Sequence, residues 1–208
     1  MRPLSPEELA EQHDVSRETL GRLKIYVDLL ARWQTRINLV GPDTMGDVWR
    51  RHILDSVQVA RLVPPPAETI ADLGSGAGLP GLVMAILLEK PVHLIESVGK
   101  KASFLQEAAR ATGAPATVHK RRIEAVQPFM ADVVTARALA PLERLLGYAH
   151  RFATDNTIFL FPKGTRAEEE LTEAQKNWTM QVMRHPSVTF GDGVILEIRD
   201  LHSLESGD

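Results

Sequence analysis

The chain has 208 residues, 44% hydrophobic and 25% charged, with a formal net charge of −3. That length suits one domain with at most a small extension, the balance is that of an ordinary globular protein, and the slight acidity excludes a globally basic nucleic-acid binder without excluding a local basic patch. The absence of cysteine removes disulfides, thiolate zinc sites and a cysteine nucleophile; no apolar run approaches the roughly 20 residues of a membrane span, and Met1 to Glu8 has no apolar signal core, so a cytoplasmic protein is expected.

Residues 1–63 read as a helical N-terminal extension. Ser5-Pro6-Glu7-Glu8 supplies a cap, a proline for the first turn and acids at the positive helix end. Ser16 opens a second helix, along which Leu20, Leu23, Val27, Leu30, Trp33 and Ile37 form a stripe at helical spacing until Gly41-Pro42-Asp43 ends it. A third helix is predicted from Asp47 to Leu62, with Trp49, Ile53, Val57 and Ala60 on one face. Both Trp33 and Trp49 sit on these stripes and read as core rather than as stacking platforms. His52 and Asp55 are three apart and share a helix face; a contact with the rest of the chain is the expected use, ahead of catalysis. Pro64-Pro65-Pro66 then makes a stiff extended connector.

From residue 67 to 208 the rhythm changes. Strands are predicted at Thr69 to Leu73, Val92 to Ile95, Thr117 to His119, Asp132 to Thr135 and Thr157 to Phe161, with helices at about 79–89, 99–112, 141–152 and 166–178 between and after them. Such alternation implies right-handed crossovers and an α/β fold: a mostly parallel sheet with helices on both faces. Met180 to Met183 and Val194 to Ile198, around Gly191-Asp192-Gly193, predict a closing hairpin.

Asp72-Leu73-Gly74-Ser75-Gly76-Ala77-Gly78-Leu79-Pro80-Gly81 joins the first of these strands to a helix. Glycines there allow a tight turn and close approach to a ligand. The spacing of Gly74, Gly76 and Gly78 is not the Gly-x-Gly-x-x-Gly of dinucleotide sites, and the turn holds no Lys-Ser or Lys-Thr pair of a nucleotide-triphosphate loop. Asp72, just before the turn, would repel a pyrophosphate but suits a ligand with a cationic amino group and a sulfonium. Glu96 ends the second strand about 20 residues on, where an acid bonds ribose hydroxyls.

Asp72 to Gly81 resembles the first motif of class I S-adenosylmethionine methyltransferases. Asn38-Leu39-Val40, Arg51-His52-Ile53-Leu54-Asp55-Ser56, Ser97-Val98-Gly99-Lys100-Lys101 with Phe104-Leu105, Arg122-Ile123-Glu124, Thr135-Ala136-Arg137-Ala138 and Pro162-Lys163-Gly164 follow in order. Over residues 20–200 the chain resembles the glucose-inhibited division protein B family. The resemblance implies a Rossmann-like methyltransferase sheet, S-adenosyl-L-methionine as cofactor, and methylation of guanine N7 in small-subunit (16S) ribosomal RNA. It carries cofactor contacts over to Gly74, Leu79, Ile123, Glu124 and Arg137, to which the turn adds Asp72, Ser75, Gly76 and Gly78, and the second strand Glu96. Phe161-Pro162 departs from the family pattern, which places a small residue and an aliphatic before Lys163.

Ligands of open parallel sheets gather beyond the carboxyl ends of the strands. Lys100 and Lys101, Lys120 to Arg122, Arg137, and Lys163 with Arg166 all follow predicted strands, whereas Glu168-Glu169-Glu170 concentrates acid elsewhere. Lys100, Lys101, Arg121, Arg122, Lys163 and Arg166 are therefore the expected RNA contacts, a local basic mouth suited to phosphates. Arg137 is expected to orient cofactor or guanine O6, and Lys163 to grip phosphate or base. Guanine N7 has no proton to lose, so no general base is required; this agrees with the lack of an Asn/Asp-Pro-Pro-aromatic loop and of cysteine. The seven histidines show no metal-binding spacing, and no metal is expected; a monomer acting on 16S ribosomal RNA or the small ribosomal subunit is. A methyltransferase with a small-molecule or protein acceptor, and a non-catalytic ribosome-binding module on the same fold, remain alternatives.

Overall fold

The structure is a computed structural model and describes residues 2–189 and 191–204. A reciprocal capping box opens α1 (Pro6–Gln12): the Ser5 hydroxyl accepts from Glu8 N, and the Glu8 carboxylate accepts from Ser5 N. Ser16 caps α2 (Arg17–Gln34) by accepting from Thr19 N through its hydroxyl, without the reciprocal bond.

The expected third helix is not a regular α-helix. Pro42–Asp47 forms a 3-10 segment, Trp49–Leu54 winds as a π-helix, and only Asp55–Arg61 (α3) is α-helical. The Ser56 hydroxyl donates to His52 O at 2.8 Å, an extra bond on a carbonyl of the widened turn. A π turn inserts residues relative to the 3.6-residue period, yet the predicted face stays apolar: Ile53, Val57 and Ala60 are buried in one core cluster and Trp49 packs against it.

A single sheet of order β3-β2-β1-β4-β5-β7-β6 follows. Strands β1 (Ile70–Leu73), β2 (Val92–Ile95), β3 (Ala116–His119), β4 (Val133–Thr135) and β5 (Ile158–Lys163) are mutually parallel. β6 (Trp178–Pro186) and β7 (Val194–Ser203) make an antiparallel hairpin, whose second strand also runs antiparallel to β5. Helices α4 (Gly81–Leu88), α5 (Gly99–Thr112), α6 (Leu142–Ala149) and α7 (Ala167–Ala174) supply the connections. The hairpin is longer than its sequence signal because β7 is an inner strand, held by β5 on one side, while β6 is an edge with mostly exposed side chains. α7 is shorter than expected, ending at Ala174 before Lys176 and Asn177 turn into β6.

Alternation along the strands divides the core. Ile70, Val92, Leu94, Val133 and Leu160 face α2, α3, α4 and α5 in one apolar cluster. Ala71, Leu73, Ile95, Val134, Phe159 and Phe161 face α6 and α7 in another. The N-terminal helices thus share a core with one face of the sheet: Tyr26 and Trp33 of α2 pack against Phe104 of α5 with ring centroids 6.3 and 5.8 Å apart. The strand order reverses between β1 and β4, which opens a crevice at their carboxyl ends. Among the described residues, no helix is long and apolar enough to cross a membrane.

Candidate active site

Two cavities open at these strand ends and meet at one loop. The first follows from β1. Gly74, Gly76 and Gly78 have φ of +67°, +55° and +84°, a conformation that favours glycine, and a Cβ at Gly74 would lie 2.6 Å from Leu139 Cδ1 and push that side chain aside. Below the turn, Ser75 Oγ donates to Asp72 O at 2.9 Å, and Tyr26 of α2 donates its hydroxyl to Ala77 O at 2.7 Å. The Asp72 carboxyl is fully buried; one oxygen accepts from Gly81 N at 3.2 Å and the other has no partner among the described residues. Burial pushes its pKa up to about 7, against the opposing effect of the Ser75 and Gly81 bonds.

At the end of β2, the Glu96 carboxylate accepts from Gly76 N at 2.9 Å and from Val98 N at 2.7 Å. Together Gly74, Gly76, Glu96, Ile123 and Glu124 line a cavity of about 280 Å³, with Lys101, Arg121 and Arg122 among its walls. A Cβ at Gly76 would meet only Gly74 O, at 3.8 Å; the glycine keeps that space clear. Each Glu96 oxygen retains a lone pair for a hydroxyl. These residues fit S-adenosylmethionine. Asp72, Ser75, Gly78 and Leu79 are buried in or beside the turn and support it rather than lining the cavity.

The second cavity, of about 510 Å³, has walls from four separate stretches of chain, including Arg51, His52 and Asp55, then Arg137, then Lys163 and Glu170, then Ser187 and Val194. Arg137, in the loop after β4, donates from Nη1 to Asp55 Oδ2 and from Nη2 to His52 Nδ1, both at 3.0 Å. The contact expected of His52 and Asp55 is made, and its partner is Arg137. Burial and then the charges of Arg137 and Arg51 lower the His52 pKa to about 4, so the ring is neutral near pH 7. Its Nδ1 accepts from Arg137; the Nε2 proton faces Thr44 Oγ1 at 2.7 Å, and that hydroxyl donates to Gly41 O at 2.6 Å.

Lys163 does not stand free at the rim. Its Nζ donates to Ala140 O at 3.1 Å and to Glu170 Oε2 at 2.8 Å, and the same oxygen accepts from Leu142 N at 2.8 Å. Lys100 is exposed outside both cavities, and Arg166 is exposed and paired with Glu169 at 3.1 Å. Ala138 and Leu139 border both cavities, and Ala138 holds a left-handed φ of +54°, a strained conformation for a residue with a Cβ. Glu170, expected with Glu168 and Glu169 to lie away from the basic strand ends, instead lines the cavity, because α7 brings its carboxylate back to Lys163. Tyr26, Leu139 and Thr189 had no signal in the sequence; a tyrosine amid an apolar stripe and a short Ala-Arg-Ala-Leu-Ala-Pro loop carry none of their own.

The strand order, the glycine turn and the acid closing β2 define a class I S-adenosylmethionine-dependent methyltransferase. Solved structures share the fold: the ribosomal protein L11 methylase from Lactobacillus delbrueckii subsp. bulgaricus, at TM-score 0.57 and 20% identity over 72% of this chain and 77% of its own, and M. jannaschii TYW2 in complex with AdoMet, at TM-score 0.56 and 14% identity over 74% and 76%. The particular family follows from sequence. The chain belongs to the GidB family, rRNA small subunit methyltransferase G, whose model matches residues 19–199. It is 53% identical to the ribosomal RNA small subunit methyltransferase G of Paramagnetospirillum magneticum, over 95% of this chain and 97% of that one. The protein of the same name from Rhodospirillum rubrum is 50% identical over 96% and 99%.

Proposed function

We propose that this chain methylates guanine N7 in 16S ribosomal RNA, acting in the cytoplasm as a monomer without a metal. S-adenosylmethionine supplies the methyl group, carried on a sulfonium. The observation that carries the guanine-N7 reading is the state of the titratable groups around the larger cavity. Both ring nitrogens of His52, both oxygens of Asp55 and the Lys163–Glu170 pair are already committed. The one lone pair of the neutral His52 ring is taken by Arg137, and Asp55 and Glu170 are each already paired with a cation, an arrangement that supports a reaction needing no base. Guanine N7 offers a bare lone pair and needs no base; an exocyclic amine would need one.

In this reading Glu96 and the adjoining Ile123–Glu124 turn hold the nucleoside of the donor, and the glycine turn admits its amino-acid end. Arg137 faces the acceptor cavity with a guanidinium fixed on two sides, and its remaining N–H groups meet guanine O6 or orient the donor. Lys163 holds the loop after β4 through Ala140 O, a positioning role beside the contact with RNA expected of it. Lys101, Arg121 and Arg122 present positive charge for RNA phosphates. Holding nucleophile and methyl in line supplies much of the acceleration.

The test is methyl transfer from labelled S-adenosylmethionine to small ribosomal subunits from cells lacking the enzyme, with digestion to nucleosides. Label in 7-methylguanosine is the expected result. Label in any other nucleoside overturns the assignment of N7.

A further inference from the structure

We propose that Asp55 is a positioning residue for methyl transfer, holding Arg137 with one carboxylate oxygen and the loop after β6 with the other. Oδ2 accepts from Arg137 Nη1 at 3.0 Å, and Oδ1 accepts from the Thr189 hydroxyl at 2.8 Å. Beside it, Gln58 of α3 clasps the backbone of the same loop: its amide donates to Pro186 O at 2.6 Å and its carbonyl accepts from Val188 N at 3.0 Å. Residues some 130 positions apart in sequence thus meet on α3, and Ser187 of this loop is part of the acceptor cavity wall.

A purely structural contact does not call for this chemistry. The Asp55 side chain is only 7% exposed, and a buried carboxylate is costly unless fully paired; an apolar residue would join α3 to the sheet at less expense. What the carboxylate adds is direction. Arg137, at 20% exposure, still opens to the cavity, and Asp55 with His52 fixes the plane of its guanidinium. The same carboxylate joins that plane to the position of the loop. Seating an RNA acceptor against the loop and orienting Arg137 are therefore one event. The proposal rests on Arg137 serving the reaction, as read above.

The experiment is a double-mutant cycle in the full-length protein, with small ribosomal subunits as substrate. Arg137→Ala is expected to lower kcat about a thousandfold and Asp55→Asn about a hundredfold, while the double variant is no worse than Arg137→Ala alone. Thr189→Val, which keeps the Arg137 pair and releases the tether, is expected to raise KM for the subunit about tenfold with kcat within about threefold. Additive losses in the cycle, or an unchanged KM in Thr189→Val, would overturn the role of Asp55. Full activity in Arg137→Ala would instead overturn the role of Arg137, and is read from the same data.

Discussion

The two cavities are built from different materials. The donor cavity is largely a backbone construction: three glycines at positive φ, and a carboxylate whose oxygens accept from Gly76 N and Val98 N. Side chains from across the chain make the acceptor cavity instead, with Arg137, Asp55, His52 and Thr189 cross-linked through hydrogen bonds. The hydrogen-bonded part of the backbone site, the glycine turn and Glu96, comes from the ends of the adjacent, paired strands β1 and β2. A side-chain site exists only once the N-terminal helices, the loop after β4 and the terminal hairpin have all docked. The donor cavity should thus tolerate damage to the acceptor cavity, and substitutions within each should act on different kinetic constants.

Glu96→Gln puts the largest expected effect on the donor side. It keeps the shape but replaces one of the oxygens receiving Gly76 N and Val98 N with an amide donor. Charged hydrogen bonds are worth roughly 1.5–3 kcal/mol, so S-adenosylmethionine affinity should fall about 10- to 100-fold. At saturating donor, kcat should stay within about threefold of the unsubstituted chain. Calorimetric titration and steady-state kinetics together read both constants. A collapse of kcat at saturation would break the separation of the two cavities.

This contrast also decides what was legible in the sequence. Asp72, the glycines and Glu96 lie within local patterns, where spacing maps directly onto a strand, a turn and a strand end. Residues 99–112 were legible as a helix with the bounds α5 shows, since local propensity and packing agree there. The acceptor cavity was legible only as single residues. Arg137 and Lys163 stood out as bases at predicted strand ends, Arg137 also by resemblance, and His52 and Asp55 by a shared helix face, but nothing in spacing says that Asp55 meets Thr189 some 134 positions away. The π-helical Trp49–Leu54 was hidden for the same reason: its winding answers to tertiary contacts, while the apolar residues alone fit an α-helix.

Asp72→Asn is a smaller test, made on stability. The folded carboxyl has its pKa raised from 3.8 to about 7 by burial. Between those values the folded chain keeps a proton that the unfolded chain has lost, so stability falls as pH rises through the window and levels off above about 7. The variant should therefore be more stable than the parent by about 1–3 kcal/mol at pH 8, and equal to it near pH 4. Urea denaturation at the two pH values checks the sign; a gain independent of pH would mean that ionisation of Asp72 is not what destabilises the fold.

Tyr26→Phe sets the finest limit on the comparison, because Tyr26 is a side chain from the N-terminal helices that reaches the backbone of the donor turn. The ring is fully buried, and burial raises the pKa of its hydroxyl, so the proton stays in place to bond Ala77 O at 2.7 Å. Removing the hydroxyl leaves that carbonyl without its tyrosine donor, at about 1 kcal/mol in denaturant unfolding. If the glycine turn is set by its own backbone, donor affinity should move less than about threefold, roughly the 0.65 kcal/mol of a minor readjustment. A loss of tenfold or more would show that the N-terminal helices shape the donor cavity as they do the acceptor cavity, and the division between a backbone site and a docked site would have to be redrawn around α2.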